Sequence, residues 1–329
     1  MDPLRFALVG CGGMGRGVAS SAVTLDGVSV DVVCDLIEQR RAEAAEQFGA
    51  VAMEDYREVV TRDDIDAVIV APHGAAHRPV VEAAAAAGKH IFCEKPLAPT
   101  LADCDAMIAA VKAAGVKAQV GQVCRWHPTH RRLKQMVADG PLGDVVSMYV
   151  ERSQGGWAGH PAWRLSRELS GGTLLEVNAH ELDLMIWIAG PVRRVAAVGN
   201  HMIELEQDYP DVTHVSMVFE SGAVGVLQST NVATVGTYQA RMDCRNGSAV
   251  VSALFGGEVT YRLRGSEETL KVTPEEMKVE NPVTGEVRAF VNYIREGGEP
   301  PVPFEQARLN VAVANAAYES IETGQFIDL

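Results

Sequence analysis

The chain has no CxxC pair among its six cysteines, Cys11, Cys34, Cys93, Cys104, Cys124 and Cys244. That argues against a structural zinc site or a disulfide framework. Four of the six lie in or beside apolar runs, where cysteine behaves as a small buried hydrophobe. Long hydrophobic stretches are also missing: Ala67 to Pro72 and Ala83 to Gly88 fall far short of the ~20 residues a membrane span needs. Positive charge is scarce, with 29 Lys+Arg against 43 Asp+Glu and a net charge of -14. So acidic a surface repels phosphate backbones and anionic lipid, which makes nucleic acid and membranes poor partners. Met1-Asp2-Pro3 runs into an apolar strand pattern with no secretory h-region, so the expected location is cytoplasmic.

What is present is a rhythm. Short apolar runs at Arg5 to Val9, Val28 to Cys34, Ala67 to Ala71, His90 to Cys93 and Val116 to Val120 alternate with helical patterns such as Gly13 to Thr24 and Leu101 to Ala114. Strands buried on both faces, each followed by a helix, indicate a doubly wound parallel sheet of α/β class. After Gln122 the pattern changes. A strong helix is expected over Thr173 to Ala189, and from Val192 to Val272 strand-like runs follow one another with turn signals between them, as in an antiparallel sheet. The expected organisation is a dinucleotide-binding domain over 1–124 and an α+β domain over 125–329, whose final helix, about 304–323, packs back near the junction. Val215 to Phe219 carries apolar residues on both faces, so one face is expected to meet a second subunit in a homodimer or homotetramer.

Directly after the first strand, Gly10-Cys11-Gly12-Gly13-Met14-Gly15 matches GxGxxG and opens a helix. Gly10 permits the tight turn, Gly12 lets backbone approach a pyrophosphate, and Gly15 lets helix and strand pack closely. The helix N-terminus presents its N–H groups to the diphosphate. Asp35 closes the second strand twenty residues after Gly15, where a carboxylate takes the adenosine ribose hydroxyls. The same carboxylate repels the 2′-phosphate of NADP, and Leu36, Ile37 and Glu38 supply no basic clamp, so NAD is favoured. Arg40 and Arg41 read as exposed helix charges.

Ligands of doubly wound folds bind beyond the carboxyl ends of the strands, which brings Glu94 and Lys95 to the cofactor crevice, with His73, His77, Gln122 and Arg125 after neighbouring strands. A lysine partly withdrawn from water there can trade a proton with a substrate hydroxyl; an exposed Glu-Lys pair ending a strand is the plainer alternative. On a continuous helix, Glu176, His180 and Asp183 share one stripe, suited to an acid-assisted histidine. A core histidine paired to an acid, or a metal site, would use the same stripe, although no further His or Cys stands nearby to complete a metal. Trp157, Trp163 and Arg164 are candidates for a substrate wall, tryptophan for sugar C–H faces and arginine for a carboxylate or hydroxyl pair; buried loop anchors are the alternative for the tryptophans.

The segment from Ala71-Pro72-His73 through His77 to His90-Ile91-Phe92-Cys93-Glu94-Lys95-Pro96-Leu97-Ala98 resembles the Gfo/Idh/MocA oxidoreductases. The resemblance covers nearly the whole chain, and its EKP turn is specific. It implies a Lys95 that contacts both the nicotinamide ribose and the reacting hydroxyl, with Pro72, His73 and His77 near the cofactor. Gly171-Gly172, His180 and Asp183 also match; Glu176 stands where the family usually has Asp, and Asn178 where Gly is common. The implied function is NAD-dependent hydride transfer at a secondary hydroxyl or ketone of a cyclitol, sugar or sugar derivative, with Lys95, His180 and Glu176 catalytic and no metal. Two alternatives use the same parts: redox-neutral cleavage or epimerisation of a glycoside with NAD retained, and a cofactor-sensing regulator without chemistry.

Overall fold

The computed structural model describes residues 3–157, 159–203, 206–277 and 280–329. It divides into two compact units, and the division is not a single cut: residues up to Gln122 join Glu280–Arg308, while Val123–Val279 join Leu309–Leu329.

The first unit strings together β1 (Leu4–Val9), α1 (Gly13–Ala22), β2 (Val28–Cys34), α2 (Glu38–Phe48), β3 (Val51–Met53), α3 (Tyr56–Val60), β4 (Ala67–Val70), α4 (His77–Ala86), β5 (His90–Glu94), α5 (Leu101–Ala114) and β6 (Ala118–Gly121). The strands form a parallel sheet in the order β3-β2-β1-β4-β5-β6. Burial on both faces explains the uninterrupted apolar runs: every residue of β4 and β6 is buried. The short edge strand β3 escaped the sequence reading because its three residues are mostly exposed and carry no buried run. The chain order reverses between β1 and β4, so the loops after those two strands flank the place where doubly wound folds take their ligands.

The second unit carries α6 (Pro128–Ala138), β7 (Val145–Ser153), α7 (Arg167–Ser170), α8 (Thr173–Glu176), α9 (Ala179–Ala189), β8 (Val192–Asn200), β9 (Val212–Phe219), β10 (Val224–Thr230), β11 (Thr237–Cys244), β12 (Gly247–Val251), β13 (Val259–Leu263), β14 (Leu270–Val272) and α10 (Pro274–Met277). The chain closes with α11 (Pro282–Glu296), α12 (Phe304–Thr323) and β15 (Ile327–Asp328). The nine-stranded sheet runs β14-β13-β12-β11-β7-β10-β9-β8-β15, antiparallel throughout except where β7 and β10 pair in parallel. In β9, Thr213, Val215, Met217 and Phe219 point into the core, while His214 and Ser216 are exposed on the other face. That outward face is therefore mixed rather than apolar. It also holds a Glu151 carboxylate that accepts from Tyr149, Ser153 and Thr237.

One expected boundary moves. Residues 280–308, assigned to the second domain by the sequence, pack with the first. Asn281 caps α11 by accepting from the Val283 and Thr284 N–H groups, and the helix turns Phe290, fully buried, edge-on to Phe6 and Phe92 at 6.3 and 5.7 Å between ring centres. Periodicity reports that such a helix has an apolar face, not which core that face joins.

Among the described residues no helix is long and apolar enough to cross a membrane.

Candidate functional site

In the first unit the glycine loop is built as its spacing requires. Gly10 has φ +95°, and a Cβ on it would lie 2.5 Å from the Ala71 carbonyl carbon. A Cβ on Gly15 would lie 2.2 Å from the Gly10 oxygen, so helix and strand could not close. Gly12 and Gly13, by contrast, have open space where a Cβ would stand. Gly12 is the N-cap of α1, no side chain caps that end, and no acidic residue sits in the first turn. An open cradle before ten residues of helix whose leading N–H groups lack a side-chain acceptor fits a diphosphate. Met14 lies half exposed beside it.

Asp35 has a second duty. One carboxylate oxygen accepts from the Cys11 N–H at 2.8 Å and the other from the Ile37 N–H at 2.9 Å, tying the glycine loop to the turn after β2. A carboxylate oxygen accepts more than one hydrogen bond, so both retain capacity for ribose hydroxyls. Arg41 is not the exposed helix charge its position suggested: it donates to the Asp35 and Leu36 carbonyls at 3.2 Å and pairs with Glu54 at 3.1 Å. Leu36, next to Asp35, is 81% exposed. Burial, with help from Asp35, pushes the Cys11 and Cys34 thiols up to about 12, so both are inert beside the loop. These two kinds of glycine separate experimentally. Gly12→Val fills the cradle and is expected to weaken NAD binding about 100-fold with little change in melting temperature. Gly10→Ala strains the turn and is expected to cost about 1–3 kcal/mol of stability. Calorimetric NAD titration and thermal melts check both.

The turn after β5 is fixed from two sides. Glu94 is buried and accepts from the backbone N–H of Lys95 at 3.1 Å; its other oxygen lies so close to β6 that a Cβ on Gly121 would stand 2.9 Å away. Glu94, expected beside the cofactor, holds the Lys95 backbone. His77 also holds this region. Completely buried, it sets Nδ1 3.2 Å from the Leu97 carbonyl and Nε2 3.2 Å from the Pro72 carbonyl, bridging the loops after β4 and β5. Burial lowers its pKa to about 4 despite two carbonyls that favour the cation. Pro96 to Pro99 are buried as well, while Lys95 itself stays half-exposed at the strand end. Pro72 and His73 remain partly exposed, Pro72 against Gly10; Gln122 is buried.

In the second unit the expected single helix is broken. α8 ends at Glu176 and α9 begins at Ala179, with Val177 and Asn178 between them. Asn178 accepts from Ser229 and donates to Glu181 at 3.0 Å, while Arg152 donates to the Val177 carbonyl and to Glu181, both at 3.2 Å. An asparagine offered side-chain partners competes with helix continuation, and here it wins. The continuous helix expected to carry both Glu176 and His180 is thus interrupted between them; both are buried, with His180 on the first turn of α9. Asp183 does not serve the histidine: its two oxygens accept from Arg125 at 2.7 Å each, with Asn310 more distant at 3.5 Å. Arg125 in turn lies over Trp187, 5.4 Å from the ring centre.

Trp157, Trp163 and Arg164 form one assembly. The Arg164 guanidinium lies 5.2 Å from both indole rings, pairs with Glu176 at 2.9 Å and meets His160 Nδ1 at 2.6 Å. Trp157 is buried, and Tyr209 donates to the Arg164 carbonyl at 2.6 Å. The Arg164 guanidinium thus lies over both tryptophans named as candidates for a substrate wall. Arg152, Glu181 and Ser229 were missed by sequence reasoning; for Arg152 the available signal was a charged residue within a strand, and neither Glu181 on its helix nor the uncharged Ser229 offered one.

Residues 4–122 match the family described as the oxidoreductase family with an NAD-binding Rossmann fold, and residues 130–250 match the GFO/IDH/MocA C-terminal domain. The chain is 27% identical to the myo-inositol 2-dehydrogenase of Thermotoga maritima, over 99% of this chain and 98% of that protein. It is 30% identical to an uncharacterized oxidoreductase of Streptococcus pneumoniae, over 80% of this chain and 72% of the relative. Levoglucosan dehydrogenase in complex with NADH shares the fold, with a TM-score of 0.90 at 24% identity, covering 99% of each chain.

Proposed function

We propose a hydride-transfer function from one premise: the chain belongs to the GFO/IDH/MocA family of oxidoreductases. The proposed reaction is NAD-dependent oxidation of a secondary hydroxyl on a cyclitol, sugar or sugar derivative, or reduction of the matching ketone. The observation that carries it is the anchored turn that leaves Lys95 half-exposed at the end of β5, held by Glu94 and His77. A myo-inositol dehydrogenase among the relatives supports the substrate class.

Gly12, Gly13, Met14 and Gly15 would hold the diphosphate, and Asp35 the adenosine ribose, with Pro72 and His73 beside them. NAD is the better fit than NADP, because Asp35 repels a 2′-phosphate and Arg41 is committed to backbone carbonyls and Glu54. Bound NAD supplies the two-electron acceptor for the carbinol hydrogen. Lys95 binds the reacting hydroxyl and takes its proton, and His180 is the second unit's candidate for proton transfer. Glu176 acts with Arg164 as a pair, and Arg125 with Asp183 orients the segment that carries His180. A second copy of the chain against the outward face of the nine-stranded sheet completes the proposal.

The test is absorbance at 340 nm with NAD or NADP and a panel of inositols, pentoses, hexoses and amino-sugars. The expected result is a rise with one polyol and NAD. Silence across the panel with NAD bound, joined to altered product without net cofactor change, would replace this reading by redox-neutral glycoside chemistry. Silence with no altered product would leave a cofactor-sensing regulator.

A further inference from the structure

The segment from α8 through α9 contains three carboxylates, Glu176, Glu181 and Asp183, and all are buried. Each is matched by one arginine: Arg164 at 2.9 Å, Arg152 at 3.2 Å and Arg125 at 2.7 Å. The charge along this segment is thereby balanced residue by residue. Two of the pairs are built into the unit, Arg125 and Asp183 bidentately and Arg152 and Glu181 through the Asn178 network. The third is different. Arg164 is the most exposed of the three arginines, and its guanidinium is held between Trp157 and Trp163, so its position does not depend on the carboxylate alone. Its Nε is buried and makes no hydrogen bond.

We propose that the Arg164–Glu176 pair sets substrate charge: it selects an uncharged polyol and rejects the corresponding sugar acid. The inference rests on the polyol-oxidation reading. A guanidinium paired with a carboxylate presents a donor and an acceptor side by side with no net charge, which suits hydroxyl groups that donate and accept together. A carboxylate ligand would have to displace Glu176 from Arg164 or lie against it as a like charge, and either disfavours binding. The glutamate is integral to this device: with Arg164 anchored by the two indoles, it is Glu176 that cancels the charge a sugar acid would otherwise seek.

The test uses the NADH-bound protein, so that binding is read without turnover. Calorimetric titrations compare D-glucose with D-glucuronate, D-galactose with D-galacturonate, and whichever neutral substrate the absorbance panel identifies with its own acid. The wild type is expected to prefer the neutral member about tenfold or more. Glu176→Gln leaves the arginine uncompensated and should shift the ratio toward the acid by about tenfold. Arg164→Gln should shift it the other way, and the double variant should return it to the wild-type sense. If the first variant fails to give a cooperative melt, the Arg164→Gln shift decides. A ratio unchanged within twofold in the folded variants, or a wild type that prefers the acid, overturns the proposal. Silence of wild type toward both members of every pair, with NADH bound, instead removes the polyol reading and this inference with it.

Discussion

Replacing Lys95 by Met should lower turnover by about 10²–10⁴-fold, the range by which a positioned proton-transfer group contributes, while NAD affinity changes by only a few-fold. The split follows from where the two functions sit. The dinucleotide cradle is made by the open backbone at Gly12 and Gly13 and by Asp35, none of which depends on the lysine side chain. Methionine keeps the length and apolar stem of lysine, and the turn is held by backbone contacts to Glu94 and His77, so the fold should survive. Steady-state rates at 340 nm, paired with NADH fluorescence titration, measure both quantities. Turnover within threefold of wild type would remove Lys95 from the chemistry.

The second large effect is structural. Asp183→Ala should destabilise the protein by about 3–5 kcal/mol, because it leaves the buried Arg125 guanidinium without its carboxylate. Replacing both partners, Arg125→Met with Asp183→Leu, should recover much of that loss, since two apolar side chains of similar volume avoid the desolvation that the charges incur. Urea denaturation gives both values. The double variant also distinguishes two roles for the pair. If the pair acts only through packing, restored stability brings restored turnover; if either Arg125 or Asp183 acts on substrate or on the orientation of His180, stability returns and turnover does not.

How much of this was written in the chain varies with the distance over which a feature is decided. The glycine loop was legible because each glycine answers a local requirement, and the parallel sheet because runs buried on both faces are short and uninterrupted. The break at Val177 and Asn178 was not legible. Every residue from Thr173 to Ala189 tolerates helix, and what interrupts it is a partner on β10, Ser229, far along the chain. The pairing of Asp183 with Arg125 likewise joins residues 58 apart, so the one-stripe geometry drawn from helical spacing assigned the acid to its sequence neighbour instead. His77 adds a role the sequence did not display: burial between the Leu97 and Pro72 carbonyls, which ties two loops together, depends on contacts that its place in a strand-end loop does not reveal.

The late return of residues 280–308 to the first unit has a consequence for how the chain is made. Synthesis proceeds from the N-terminus, so the six-stranded sheet is complete long before α11 exists. Until Phe290 arrives, Phe6 and Phe92 lack a neighbour that the finished core supplies. The nascent first domain therefore spends much of translation with a gap in its hydrophobic surface, which is the condition under which chaperones engage and partial domains aggregate. A ribosome stalled before residue 280 should hold a cofactor-binding domain that is assembled in topology yet open to protease and chaperone alike, and the segment that carries α11 is what seals it.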